Sequence, residues 1–128
     1  MGAADVNLAH TLNMLGRTHE RQEQYEKAEA SFRQCVEILE RGGDPQLAVA
    51  LRDVARVLHL QGRGAESELV LKRAITILAH SGRAEHLDMA ATLENHVDIL
   101  RETARHHEAE SVVARARAIR AKHELSEN

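Results

Sequence analysis

Residues 8–19 read LAHTLNMLGRTH, and close variants of the same twelve letters return as LAVALRDVARVL at 47–58 and MAATLENHVDIL at 89–100. The match extends well past this dodecapeptide. Leu8, Leu12, Gly16, Ala28, Phe32, Cys35 and Ile38 have counterparts 39 residues later at Leu47, Leu51, Ala55, Ser67, Leu71, Ala74 and Ile77. A further 42 residues carries Leu51, Ala55, Ser67, Leu71, Ala74 and Ile77 onto Leu93, Val97, Ala109, Val113, Ala116 and Ile119. Each offset holds across a whole repeat, so the three extra residues belong to the connector between Leu78 and Asp88, where insertions are tolerated. Self-similarity at a fixed period marks a repeat architecture.

Each repeat reads as two helices. In the first, Leu8, Leu12, Leu15 and His19 recur at steps of three and four, and Ala28, Phe32, Cys35 and Leu39 resume the period after a short turn in EQYEK. Gly42 and Gly43 stop a helix, Asp44 can cap the next, and Pro45 suits its first turn. QGRGAE at 61–66 and HSGRAE at 80–85 punctuate the second repeat. The spacing predicts helices over 5–22, 25–41, 45–61, 64–79, 87–103 and 106–123. Gly16, Ala28, Ala55, Ser67, Ala74, Ala109 and Ala116 are the small residues expected where helices cross. His96 and Val97, standing where the first repeat has Leu15 and Gly16, predict a third hairpin that is splayed or rotated.

The chain is 128 residues long, 43% apolar and 29% charged, which suits one folded domain and is too apolar for a disordered tail. One Tyr, one Phe, one Pro and no Trp, against abundant Ala, Leu, Glu and Arg, predict an all-α protein. A hairpin whose apolar stripes face outward cannot shield them alone, so the expected fold is a right-handed α-solenoid of three stacked hairpins. One domain is expected over 5–123, with repeats near 5–43, 44–83 and 84–123 and flexible termini at 1–4 and 124–128.

The run from Leu12 to Phe32 resembles the tetratricopeptide repeat, W-x₂-L-G-x₂-Y followed by A-x₃-F and then P. Leu12, Leu15, Gly16 and His19 fill the first spacing, Ala28 and Phe32 the second, and the trailing Pro is missing. DVNLAHTLNMLG at 5–16 and EHLDMAATLENHV at 85–97 are similar to the kinesin-light-chain type, which reads roughly HPDVATTLNNLA. The resemblance spans about residues 5–122. It implies a non-catalytic scaffold that takes an extended or helical peptide along the concave face lined by the first helix of each repeat.

The residues flanking the core stripe of those helices are His10, Asn13, Met14 and Arg17, then Val49, Arg52, Asp53 and Arg56, then Ala91, Glu94, Asn95 and Asp98. Their i, i+3, i+4, i+7 spacing puts each set on one face. Nine of these are the candidate partner-binding residues: His10, Asn13, Arg17, Arg52, Asp53, Arg56, Glu94, Asn95 and Asp98. Asn13 and Asn95 can pair with a ligand backbone through their amides. Arg17, Arg52 and Arg56 can fork onto carboxylates, while Glu94 and Asp98 favour a basic group. The partner expected is a protein or peptide, one with an acidic stretch. The competing reading is a solvated face held by internal pairs such as Asp53 with Arg56 or Arg17. The two-carboxylate clamp of chaperone-binding members does not carry over, since Asn13, Arg17, Asp53 and Ala91 stand where that pattern has Lys, Asn, Asn and Lys.

Other chemistries find less support. A net charge of −3 supplies no field for nucleic acid or an anionic membrane, and the basic run Arg115, Arg117, Arg120 and Lys122 has no aromatic to stack a base. Nine histidines include His106, His107 and Glu110, and His80 with His86, but no HExxH, so no metal and no cofactor are expected. Gly62 and Gly64 lack the rest of a phosphate loop. The single Cys35 reads as core packing, in a reducing, cytoplasmic compartment. No catalytic constellation emerges. The alternative function is an assembly or oligomerisation element, with the first or last repeat stacking on another copy weakly, or as part of a longer array.

Overall fold

The computed structural model describes residues 2–42 and 46–127. Six α-helices follow one another: α1 (Ala3–Arg21), α2 (Tyr25–Glu40), α3 (Gln46–Leu60), α4 (Gly64–His80), α5 (Leu87–Glu102) and α6 (His106–Glu127), and there is no strand among the described residues. The all-α class is the one expected, with one helix for each predicted segment. The stop and cap assigned to Gly43, Asp44 and Pro45 lie outside the described residues. Contacts divide the chain into two compact units, residues 1–74 and 75–128, with the division inside α4.

The same turn joins α1 to α2, α3 to α4 and α5 to α6. Glu23, Gly62 and Ala104 occupy equivalent positions and all have left-handed backbone, with φ of 59°, 78° and 58°. In each, an amide one residue on reaches back five residues to a carbonyl: Gln24 to His19 at 2.9 Å, Arg63 to Leu58 at 2.9 Å, Arg105 to Leu100 at 2.8 Å. This closes off the carbonyls that a helix end leaves unpaired. Only the second repeat uses the glycine that favours this conformation; Glu23 and Ala104 adopt it against their Cβ atoms, which hides the turn from composition.

Within the first unit, α1 and α2 cross through a single size match. Gly16 is buried, and a Cβ built there would lie 2.6 Å from the Phe32 ring, itself sealed from water. The equivalent positions hold Ala55 and Leu71, then Val97 and Val113. As the residue on the first helix grows, its counterpart on the second shrinks, keeping the crossing filled at native density. Ala28, Ala55, Ser67, Ala74, Ala109 and Ala116 are likewise buried, and the Ser67 hydroxyl donates to the Ala55 carbonyl at 2.7 Å, tying α4 to α3.

In the second unit the same crossing of the third hairpin is filled. Val97, Leu100 and Ala109 form a buried cluster with Val112 and Val113 against it, and His96 is buried. Helix α6 runs past the predicted end at 123 to Glu127. Its last turns are occupied: Lys122 pairs with Glu85 at 3.0 Å, and His123 Nε2 donates to the Glu85 carbonyl at 2.9 Å. The His123 ring also meets His86 edge-on at 6.4 Å. His86 caps α5, its Nδ1 accepting from the Asp88 amide at 3.0 Å. Helix α1 begins at Ala3, two residues before its expected start.

The largest departure from expectation lies on α1. Leu8, Leu12, Leu15 and His19 were the expected core stripe, yet Leu8 is 50% and Leu15 44% exposed, and Leu12 is half-buried. Their equivalents on α3, Leu47, Leu51, Val54 and Leu58, are all buried. The difference is neighbourhood. Helix α2 packs on α3, with Val36 beside Leu51 and Val54, and no described helix takes that place beside α1. Its buried face is instead Ala9 and Gly16.

Gly16→Ala is expected to destabilise the chain by about 1–3 kcal/mol through overpacking against Phe32. Adding Phe32→Leu, the second repeat's solution, should recover most of the loss. Urea unfolding of both variants checks this; a fully tolerated Gly16→Ala would refute the size match.

Candidate functional site

An open trough of about 780 Å³ runs along the first unit between α1 and α3. Its floor is apolar and comes from three helices: Ala9 of α1, Cys35 and Leu39 of α2, and Ala50 of α3. Val6, Met14 and Val49 form its rims, with Val6 49% and Met14 55% exposed. His10, Asn13, Arg17, Arg21 and Gln46 supply the polar lining. Burial, and then the negative charge of Asp53, push the Cys35 thiol up, so it stays protonated and packs as a small apolar group.

Of the nine candidate residues, six belong to α1 and α3, and the structure separates them by role. His10 and Arg17 face the trough and are exposed. Asp53 does not face a ligand: it is 1% exposed and both carboxylate oxygens are engaged. Asn13 Nδ2 donates to Asp53 Oδ2 at 2.9 Å, and Arg56 Nη1 to Asp53 Oδ1 at 2.9 Å. Arg56 turns its remaining edge to Glu20, with Nε to Oε2 at 2.8 Å and Nη2 to Oε1 at 2.6 Å. The internal pairing of Asp53 with Arg56, the competing sequence reading, is the one observed. Glu20, which carries no signal of its own in the sequence, completes the chain of contacts from α1 to α3. Its hydrogen bonds raise the Arg56 pKa over the opposing effect of burial, and the charge of Asp53 adds to the rise.

This network changes what Asn13 and Arg56 can do. Arg56 is a strut between two helices, whereas Asn13 spends one N–H on Asp53 and still lines the trough. Arg52 is half-buried one turn before Arg56. Sequence reasoning passed over Arg21, although it extends the stripe of His10 and Arg17 by a further i+4 step. Neither Arg17 nor Arg21 forms an ion pair with any described residue.

The candidates on α5 belong to the second unit. Glu94 is held by Arg120 through a two-bonded fork, both distances 2.7 Å, which draws its carboxyl below the ordinary value of 4.5 against the opposing effect of desolvation. Asn95 is half-buried. Asp98 is exposed and borders a small hollow of about 220 Å³ with Glu94, Arg101 and Arg117.

A second hollow of the first unit, about 410 Å³, opens between α2 and α4. Arg73 and Glu40 pair at 2.9 Å on its lining. Nearby, Glu29 of α2 accepts from Gln61 at 2.9 Å, Arg63 at 2.7 Å and Arg33 at 2.8 Å, fastening α2 to the turn before α4. Among the described residues no group of three or more His, Cys, Asp or Glu is placed to hold a metal ion, and no helix is long and apolar enough to cross a membrane.

The fold and the trough define a helical-repeat protein. Residues 8–41 match the family model of the tetratricopeptide repeat, the family that the stretch from Leu12 to Phe32 resembles. No curated protein matches the chain. Among solved structures it is similar to the nearly identical TPR-like repeats ascribed to a kinesin light chain of Podosopora anserina, with a TM-score of 0.73 and 22% identity over 89% of this chain and 56% of that one. It is also similar to aspartyl phosphate phosphatase F of Bacillus subtilis, with a TM-score of 0.84 and 18% identity over 95% of this chain and 32% of that one. The TPR domain of Arabidopsis FLU gives 0.69 and 16% over 97% and 99%. These likenesses establish the fold. The chain spans little more than half the length of the Podosopora protein. Tetratricopeptide repeats are in general non-catalytic protein–protein interaction scaffolds.

Arg56→Leu is expected to cost about 3 kcal/mol in urea unfolding, because it strands the buried Asp53 carboxylate; Arg56 is itself partly exposed, which keeps the loss at the low end for breaking a buried pair. Adding Asp53→Asn should recover part of it. A loss within error of zero would remove the strut. For Glu94, the lowered pKa means that its stabilisation is full above the ordinary value of 4.5 and is lost as pH falls through the folded value. Glu94→Gln should therefore flatten the stability profile below that pH, measured by thermal unfolding across an acid series.

Proposed function

We propose that this chain is a non-catalytic scaffold whose α1–α3 trough takes a peptide segment carrying an apolar anchor and acidic residues. The observation that carries the reading is the pairing of an apolar floor with Arg17 and Arg21, two exposed guanidinium groups with no ion pair among the described residues. Guanidinium groups recognise carboxylates through forked hydrogen bonds, and His10 on the same wall adds a further donor. The Asn13 amide suits a peptide backbone whatever its side chains. Val6, Met14 and Val49 offer an apolar side chain a site, and the unbranched thioether of Met14 adapts to several shapes. From Val6 to Arg21 the wall measures about 22 Å at helical rise, the length of about six or seven extended residues.

The reading assigns Asn13 a shared role, leaves Asp53 and Arg56 to the scaffold beneath it, and concentrates recognition on His10, Arg17 and Arg21. On the second unit, taken by itself, Asn95 and the exposed Asp98 are proposed as contacts for a basic group, while Glu94 is held by Arg120.

The test is fluorescence anisotropy with a panel of labelled amphipathic peptides that share one apolar pattern and carry acidic, neutral or basic flanks. Acidic flanks should bind best, with affinity falling as salt rises. Arg17→Glu with Arg21→Glu should weaken capture by about tenfold or more, equivalent to about 1.4 kcal/mol. Equal binding of acidic and basic flanks, or capture untouched by the double reversal, would overturn the proposal.

A further inference from the structure

The geometry points to a second docking surface on the back of α1, a self-complementary stripe through which two copies of this chain associate about a two-fold axis. The stripe is Leu8, Leu12, Leu15 and His19, with Leu8 and Leu15 half-exposed. It lies on the opposite side of α1 from the trough rim formed by Val6 and Met14. The other exposed large hydrophobics among the described residues, Leu60, Leu69, Leu87 and Leu125, are dispersed over four segments, whereas Leu8 and Leu15 stand two turns apart on one face.

Repeat equivalence shows what kind of surface this is. The matching residues of α3 are buried by α2, where Val36 lies beside Leu51 and Val54. The α1 stripe therefore has the form of an interface already used once in this chain. The candidate covers can be compared by charge. The α6 residues equivalent to Val36 and Leu39 of α2 are Arg117 and Arg120, both exposed, the latter paired with Glu94. Laying that face on three leucines would strip water from guanidinium groups without giving them partners, so head-to-tail stacking is unfavourable. The α1 face itself carries no such penalty. Thr11 and Thr18 border it on one side, and its charged neighbour Asp5 sits near the start of the helix.

Antiparallel apposition of two α1 helices sets Leu8 of one copy against Leu15 of the other. It also sets Asp5 against His19, a carboxylate facing an imidazole, while Thr11 lies close to the axis and meets its own copy. An isologous contact of this kind closes on itself as a dimer. One helix face is small for a stable interface, so association is weak and concentration-dependent.

The experiment is light scattering after size exclusion on the full chain over a dilution series. The mass should climb from that of one chain towards twice it as concentration rises. Leu8→Glu with Leu15→Glu should hold the mass at one chain with the helical circular dichroism unchanged, whereas Leu69→Glu and the Arg17→Glu, Arg21→Glu pair should associate as the parent does. That last control separates this surface from the trough. Thr11→Cys, beside a buried Cys35, should form a disulfide-linked dimer on oxidation, and this readout stands even if the leucine variants fail to fold. A parent chain of single mass up to its solubility limit would overturn the inference. So would association without Thr11→Cys cross-linking, which would place the contact on another face or in a heterologous stack.

Discussion

The close crossing of α1 and α2, where Phe32 fills the space Gly16 leaves open, is the contact on which the first unit is built. It fixes the hairpin, and the hairpin in turn decides which faces remain. A pair of helices locked at this spacing buries the sides that meet and leaves two more apolar flanks to be covered. On α3 one such flank is covered by α2; on α1 it is not. The trough is a consequence of the same arrangement, because α1 and α3 stand side by side over residues that α2 supplies from below.

Polar chemistry then divides the labour along α1. Glu20, Arg56, Asp53 and Asn13 form one connected chain of hydrogen bonds from α1 to α3. Burying Asp53 is tolerable only because both of its oxygens have partners, so these residues act together as scaffold. One helical step away, Arg17 and Arg21 remain outside that accounting and keep their charge for the trough. Arg17 and Arg56, equivalent positions of the first two repeats, thus differ because the Arg56 guanidinium has carboxylates opposite it and Arg17 has none among the described residues.

The size relation between Gly16 and Phe32, Ala55 and Leu71, and Val97 and Val113 explains why the third hairpin packs despite its different letters. Judged alone, Val97 suggests a disrupted crossing. Judged with Val113, it is the same volume distributed differently, and the buried cluster around Leu100 and Ala109 follows. The turns behave similarly, since three unlike residues, Glu23, Gly62 and Ala104, share one backbone conformation.

Periodicity was enough to determine, from the letters alone, six helices, their pairing into hairpins and the small residues at the crossings, because these depend on local propensity and on spacings that repeat. His10, Asn13 and Arg17 were legible as one face for the same reason. Tertiary structure alone decided that Asp53 and Arg56 are internal, that Glu20 is their partner and that Leu8 and Leu15 meet water. Each of those outcomes turns on which element lies opposite, and a helical repeat gives every copy of a residue the same address while only the assembled neighbours determine whether it is covered.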